Sequence, residues 1–136
     1  QGDITDFDSV LRATKGVDAV VHLALVRRRG WGDWESAHQN IIGTYNVFEA
    51  ASRFGLKKVV FASSNHACGY AVKENDLVGP DAPLRPDSFY GANKAFGETL
   101  GRYYSDKHNL SVICLRIGWF PGLEDPSDRF RETLSQ

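Results

Sequence analysis

Short β-branched apolar runs alternate along this chain with longer stretches whose apolar residues recur every three or four positions. Val17-Asp18-Ala19-Val20-Val21-His22-Leu23-Ala24, Lys57–Ser63 and Ser111–Ile117 are the short runs, and they predict three buried strands. A helix-like stretch precedes each. Asp8–Lys15 turns Val10 and Leu11 inward and stops at Gly16. Trp34–Phe54 repeats Trp34, Ala37, Ile41, Tyr45 and Phe48 at helical spacing and stops at Gly55. Phe89–Lys107 places Phe89, Phe96, Leu100 and Tyr104 on related faces, with Asp87 as the expected N-cap.

Strands alternating with helices imply right-handed βαβ units. The expected fold is α/β: part of a Rossmann-like, doubly wound parallel sheet with helices on both faces. Ligands of such sheets lie outside the carboxyl ends of the strands. The segments Leu25–Asp33, Ser64–Ser88 and Gly118–Pro126 should therefore share one functional edge. The middle one is too long for an ordinary connection, which favours a functional loop.

The chain has 136 residues, 16 Lys+Arg against 17 Asp+Glu, so charge gives no reason to expect nucleic acid or a membrane surface as partner. No apolar run is long enough to span a bilayer. Cys68 and Cys114 lie apart without metal-ligand spacing; they read as reduced thiols of a cytoplasmic protein, with one disulfide left open. There is no methionine, and Gln1-Gly2-Asp3 begins in mid-pattern. Both features point to a piece of a longer protein.

Chemistry concentrates in Tyr90-Gly-Ala-Asn-Lys94, where the first and last residues lie one turn apart on one helix face. An ammonium beside a phenol favours the phenolate, which can take a proton from an alcohol while hydride leaves the same carbon. Tyr103 and Lys107 repeat the spacing thirteen residues further on, about 20 Å along a helix that runs away from the ligand edge. They are expected to be a surface packing pair. Ser64 follows the second strand at the ligand edge, where its hydroxyl can bond a substrate oxygen.

Gly2-Asp-Ile-Thr-Asp6, His22-Leu-Ala24, Asn40-Ile-Ile-Gly-Thr-Tyr-Asn-Val-Phe-Glu-Ala-Ala51, Phe61-Ala-Ser-Ser64, Tyr90-Gly-Ala-Asn-Lys94 and Leu115-Arg116 occur in that order. Together they resemble the extended short-chain dehydrogenase/reductase family, the NAD-dependent epimerase/dehydratase group. The resemblance covers nearly the whole chain. It implies a Rossmann domain with NAD as cofactor, NADP being left open, and a catalytic set of Ser64, Tyr90 and Lys94. Asp3 and Ile4 match the segment that contacts adenine, and Leu23, Ala24 and Ser63 match cofactor-side positions. Lys94 and Tyr90 would also meet the nicotinamide ribose. Asn40 matches a family asparagine whose role is either cofactor contact or a helix–strand hydrogen bond. The family's glycine-rich phosphate loop and most of its substrate region are absent from residues 1–136, so this piece alone is expected not to turn over.

Ser64-Asn-His66, Arg85-Pro-Asp-Ser-Phe-Tyr-Gly91 and Leu115-Arg-Ile-Gly118 look like the uronate dehydrogenase branch. That resemblance implies oxidation of a hexuronic acid to a lactone, with Ser64, Asn65 and His66 against the sugar and Arg129 gripping its carboxylate. His66 as a loop cap and Arg129 as an exposed helix residue are the plain alternatives. Bulky Trp119-Phe120 and the run Arg27-Arg28-Arg29 depart from that branch. The arginines suit a solvated loop or a phosphosugar. A nucleotide-sugar epimerase or dehydratase, and a non-catalytic cofactor-binding protein, remain alternatives. The family also implies a homodimer or larger homo-oligomer built through the two long helices.

Overall fold

The computed structural model describes residues 2–26, 33–75 and 77–118. Three strands, β1 (Ala19–His22), β2 (Lys58–Ser64) and β3 (Ser111–Ile117), form one parallel sheet in the order β1-β2-β3. Register is continuous across it: Val21 pairs with Val60, which pairs with Ile113. Among the described residues, α1 (Phe7–Thr14) precedes β1, α2 (Trp34–Arg53) connects β1 to β2, and a 3-10 turn at Asn65–Cys68, α3 (Gly69–Glu74) and α4 (Phe89–His108) connect β2 to β3.

Local chemistry sets the boundaries. Asp6 caps α1 by accepting from Asp8 N, and Asp33 caps α2 by accepting from Ser36 N. Gly16 and Gly55, at φ 78° and 63°, supply the left-handed turns that follow these helices. The cap of α4 is Ser88, whose hydroxyl accepts from Gly91 N, and not Asp87 as the sequence suggested. Asp87 is drawn away by tertiary partners described below.

The core lies between the sheet and α2 and α4. Phe48, Ala51, Leu56, Val59, Phe61, Tyr104 and Leu110 are buried together, with Val20, Val112 and Cys114 packed against them. Val10 of α1 joins Val47 and Ala50 of α2. Phe48 stacks on Tyr104, whose hydroxyl donates to Glu49 at 2.6 Å and ties α4 to α2. Of the residues at helical spacing, Ala37, Phe48 and Tyr104 are buried, whereas Trp34, Tyr45 and Phe89 are exposed. The buried stripe of α2 runs through small and polar residues (Ser36, Ala37, Asn40, Gly43, Thr44), because these let the helix approach its neighbours closely.

Alternation along the strands separates two faces. Val20, Val59, Phe61 and Val112 face the helices. Val21, Ile113, Leu115 and Ile117 are exposed on the other side, Val21 to 61%. Among the described residues, α1, α2 and α4 all pack on the first face. No helix of the described residues is long and apolar enough to cross a membrane.

Candidate active site

Strand β2 ends at Ser64, and the chain turns at once into the 3-10 turn that packs on the first turn of α4. A Cβ at Gly91 would stand 2.2 Å from His66 O, so only glycine allows this approach. Ser64, Asn65, His66, Tyr90 and Lys94 are thereby gathered at the carboxyl edge of the sheet. The His66 ring stands edge-to-face to Tyr90, centroids 5.8 Å apart at 73°. Lys94 Nζ lies 5.5 Å from the Tyr90 ring centroid and donates to Ala62 O at 2.7 Å. Lys94 is buried, and that desolvation lowers its pKa from the ordinary lysine value to about 8. The side chain is thus still an ammonium at pH 7, held over the phenol by a backbone carbonyl.

Ser64 Oγ accepts from His66 N at 3.2 Å and donates to Asn65 Oδ1 at 3.1 Å. Its neighbour Ser63 points to the helix face, where its hydroxyl donates to Glu98 at 2.5 Å. Glu98 in turn binds Arg116 (Nη2 to Oε2, 2.9 Å), and Arg116 donates to the carbonyls of Pro80 and Ala82. The Ser63 hydroxyl therefore anchors the loop over the sheet edge, a use distinct from the cofactor contact implied by the resemblance.

The other implied cofactor residues gather along the open edge of β1. Asp3, Ile4, Leu23 and Ala24 line one groove of about 270 Å³ with Gly2 and Val21. Asp3 Oδ1 accepts from Thr5 N and Thr5 Oγ1, each at 2.8 Å, and these bonds lower its pKa. Asn40 ties α2 to the segment after β1: Val26 N donates to its Oδ1 at 2.7 Å, and its Nδ2 donates to Val26 O at 2.9 Å. Arg129, Arg27-Arg28-Arg29 and Trp119-Phe120 lie outside the described residues.

Sequence reasoning missed two groups. His22 is buried at the end of β1, with Nε2 3.3 Å from Thr44 Oγ1. Burial, aided by the charge of Lys94, lowers its pKa to about 4. Its place in a strand otherwise built of apolar residues was the available signal. Asp87 was read as a cap, whereas its carboxylate bonds His66 Nδ1 at 2.9 Å and Lys73 Nζ at 3.2 Å. Tyr103 stays on the surface, edge-on to Tyr104 and His108, as a packing residue should. Cys68 and Cys114 are both free thiols.

A parallel α/β sheet with serine, tyrosine and lysine at its carboxyl edge defines the Rossmann-like α/β class, whose ligands lie at that edge. Within that class, residues 1–134 match the model of the NAD dependent epimerase/dehydratase family. The chain belongs to this family. It is 41% identical to the L-arabinose 1-dehydrogenase (NAD(P)(+)) of Haloferax volcanii, over 98% of this chain and 57% of the relative. It is 45% identical to the NAD-dependent glucose-6-phosphate dehydrogenase of the same organism, over 85% of this chain and 48% of the relative. The crystal structure of a glucuronic acid dehydrogenase from Chromohalobacter salexigens superposes with a TM-score of 0.80 at 39% identity, covering 90% of this chain and 46% of that one. The chain thus spans about half the length of the relatives it matches.

Proposed function

We propose that the intact protein is an NAD(P)-dependent sugar dehydrogenase that oxidises the anomeric carbon of a hexuronic acid or a hexose (phosphate) to a lactone. The observation that carries this reading is the meeting of Ser64, Tyr90 and the buried Lys94 ammonium at one sheet edge. The likeness to dehydrogenases of L-arabinose, glucose 6-phosphate and glucuronic acid supports the substrate class.

The residues present fit a dinucleotide. Asp3, Ile4, Leu23 and Ala24 line the groove beside β1; by the resemblance, Asp3 and Ile4 would meet the adenine and Leu23 and Ala24 would lie beside the cofactor. Lys94, with one described hydrogen bond and three N–H donors, retains capacity for ribose hydroxyls. When bound, the cofactor supplies the hydride acceptor. Tyr90 Oη takes the hydroxyl proton of the sugar. The Lys94 ammonium favours the phenolate form of Tyr90 that accepts this proton and so becomes the phenol. The Ser64 hydroxyl turns from Asn65 Oδ1 to the sugar oxygen and bonds it as carbonyl character grows. Asn65 and His66 line the sugar side, and Arg129 would grip a carboxylate.

The exposed aromatic residues of the two long helices, Trp34, Tyr45, Phe54, Phe89 and Tyr103, suit a homodimer through these faces. Free Cys68 and Cys114 fit a reducing compartment such as the cytoplasm. The test is NAD or NADP reduction by the intact protein with galacturonate, glucuronate, arabinose, glucose 6-phosphate and UDP-glucose in parallel. Turnover of a uronate makes Arg129 the carboxylate clamp. Turnover of glucose 6-phosphate alone moves the anion site to Arg27-Arg28-Arg29. No net reduction with any sugar rejects the dehydrogenase and favours an epimerase, which recycles its cofactor.

A further inference from the structure

We propose that Asp87 is a positioning residue that fixes the His66 imidazole as its Nδ1–H tautomer, so that Nε2 is presented beside Tyr90 as an acceptor for a sugar hydroxyl. The proposal rests on the sugar-dehydrogenase reading and assigns one contact within it.

The two partners differ sharply in exposure. The Asp87 side chain is 8% exposed, whereas that of His66 is 50% exposed. Oδ1 of Asp87 meets His66 Nδ1 at 2.9 Å, and Ser88 Oγ adds a weaker bond to the same oxygen at 3.3 Å. Oδ2 meets Lys73 Nζ from α3 at 3.2 Å. Burial alone would raise the Asp87 pKa. The bonds and charges of His66 and Lys73 outweigh it, and the net direction is downward. Asp87 is therefore an ionised carboxylate at neutral pH, with acceptors and no proton to give. The proton shared with His66 must sit on Nδ1. In a neutral imidazole this leaves the Nε2 lone pair free to accept.

Packing makes the arrangement rigid. A Cβ on residue 69 would lie 2.3 Å from Asp87 Cγ, so α3 can begin over the carboxylate only at Gly69. Gly91 brings α4 onto the backbone oxygen of His66. These approaches fix the Asp87 carboxylate and the His66 backbone, and the ring stands edge-to-face against Tyr90. The groups facing the pair are Lys73 from α3, Ser88 at the cap of α4 and Tyr90 in its first turn. Lys73 thus serves the second carboxylate oxygen while His66 serves the first. A merely loop-capping histidine would need neither a buried carboxylate nor this orientation.

An unconstrained imidazole prefers the opposite tautomer, Nε2–H, so the proposal has a direct spectroscopic signature. Long-range proton–nitrogen spectra of the intact protein, labelled with ¹⁵N-histidine, are recorded at pH 8 without substrate. His66 is expected to show a protonated Nδ1 and a bare Nε2, and Asp87→Asn to raise the Nε2–H fraction. An Nε2–H or doubly protonated His66 in the unmutated protein overturns the proposal. This readout is independent of turnover, so it separates failure of the proposal from failure of the dehydrogenase reading. With the best sugar of the panel, Asp87→Asn should raise KM about tenfold and leave kcat within about twofold. That effect should vanish in a His66→Ala background. Lys73→Met, which keeps the His66 contact, should leave KM unchanged. The same KM rise with and without His66 would overturn the assignment, and if Asp87→Asn does not fold, the tautomer of the unmutated protein decides.

Discussion

At the residue scale, a buried cation, Lys94, lies one turn along α4 from the phenol of Tyr90, and a buried histidine, His22, ends β1. Lys94 bears the cost of burial because its ammonium is used in place, on Ala62 O and over the Tyr90 ring. His22 bears a related cost with the opposite consequence. Its folded-state pKa of about 4 lies below the ordinary value of 6.5, so the native state favours neutral imidazole. The stability this represents is complete above pH 6.5 and is lost as pH falls toward 4. The loss amounts to about 3 kcal/mol. Urea denaturation of the intact protein between pH 7 and pH 4 should show it, and His22→Gln should lack this acid-sensitive component. Equal acid sensitivity in both proteins would remove His22 as its source. The Tyr90/Lys94 pair was legible in the sequence because helical spacing brings i and i+4 together. His22 and Asp87 were not, since their roles come from partners 22 and 21 residues away (Thr44 and His66) that no local pattern encodes.

At the element scale, the three strands were legible because β-branched runs mark buried strands whatever covers them. Helices α1, α2 and α4 were legible too, with ends within a residue or two of the expected ones, whereas α3 and the 3-10 turn lie in the segment Ser64–Ser88 that was read as a loop. Helical spacing alone did not say which of these residues are buried: Phe48 and Tyr104 are, Trp34, Tyr45 and Phe89 are not, and α2 also buries Gly43, Ala50 and Ala51, and α4 Gly97 and Gly101. Close helix and sheet approach selects small residues, which carry little hydrophobic signal. Likewise, strand alternation sends Ser63 to Glu98 and leaves Ser64 at the ligand edge, although the two are neighbours in sequence. The contact of the 3-10 turn with α4 makes a sharp prediction. Gly91→Ala forces His66 O away from α4 and should cost about 1–3 kcal/mol of stability, together with activity. Ser88→Ala removes only the cap bond to Gly91 N and should cost about 1 kcal/mol. Thermal unfolding of the two variants checks both, and equal small losses would show that the close approach is not a constraint.

At the scale of the whole molecule, the sheet has a helix-covered face and a face where Val21, Ile113, Leu115 and Ile117 are exposed among the described residues. Apolar surface of this kind, bounded by open strand edges, favours association. Expressed alone, residues 1–136 should associate or precipitate, and a monodisperse sample with a cooperative thermal transition would contradict that. The most direct test of the account is the rate of NAD(P) reduction by the intact protein with its best sugar, measured for the unmutated enzyme and for Tyr90→Phe. Loss of the phenolic hydroxyl should lower kcat by about 10²–10⁴-fold while the variant stays folded. Unchanged turnover in Tyr90→Phe would contradict the assignment of Tyr90 as the proton acceptor.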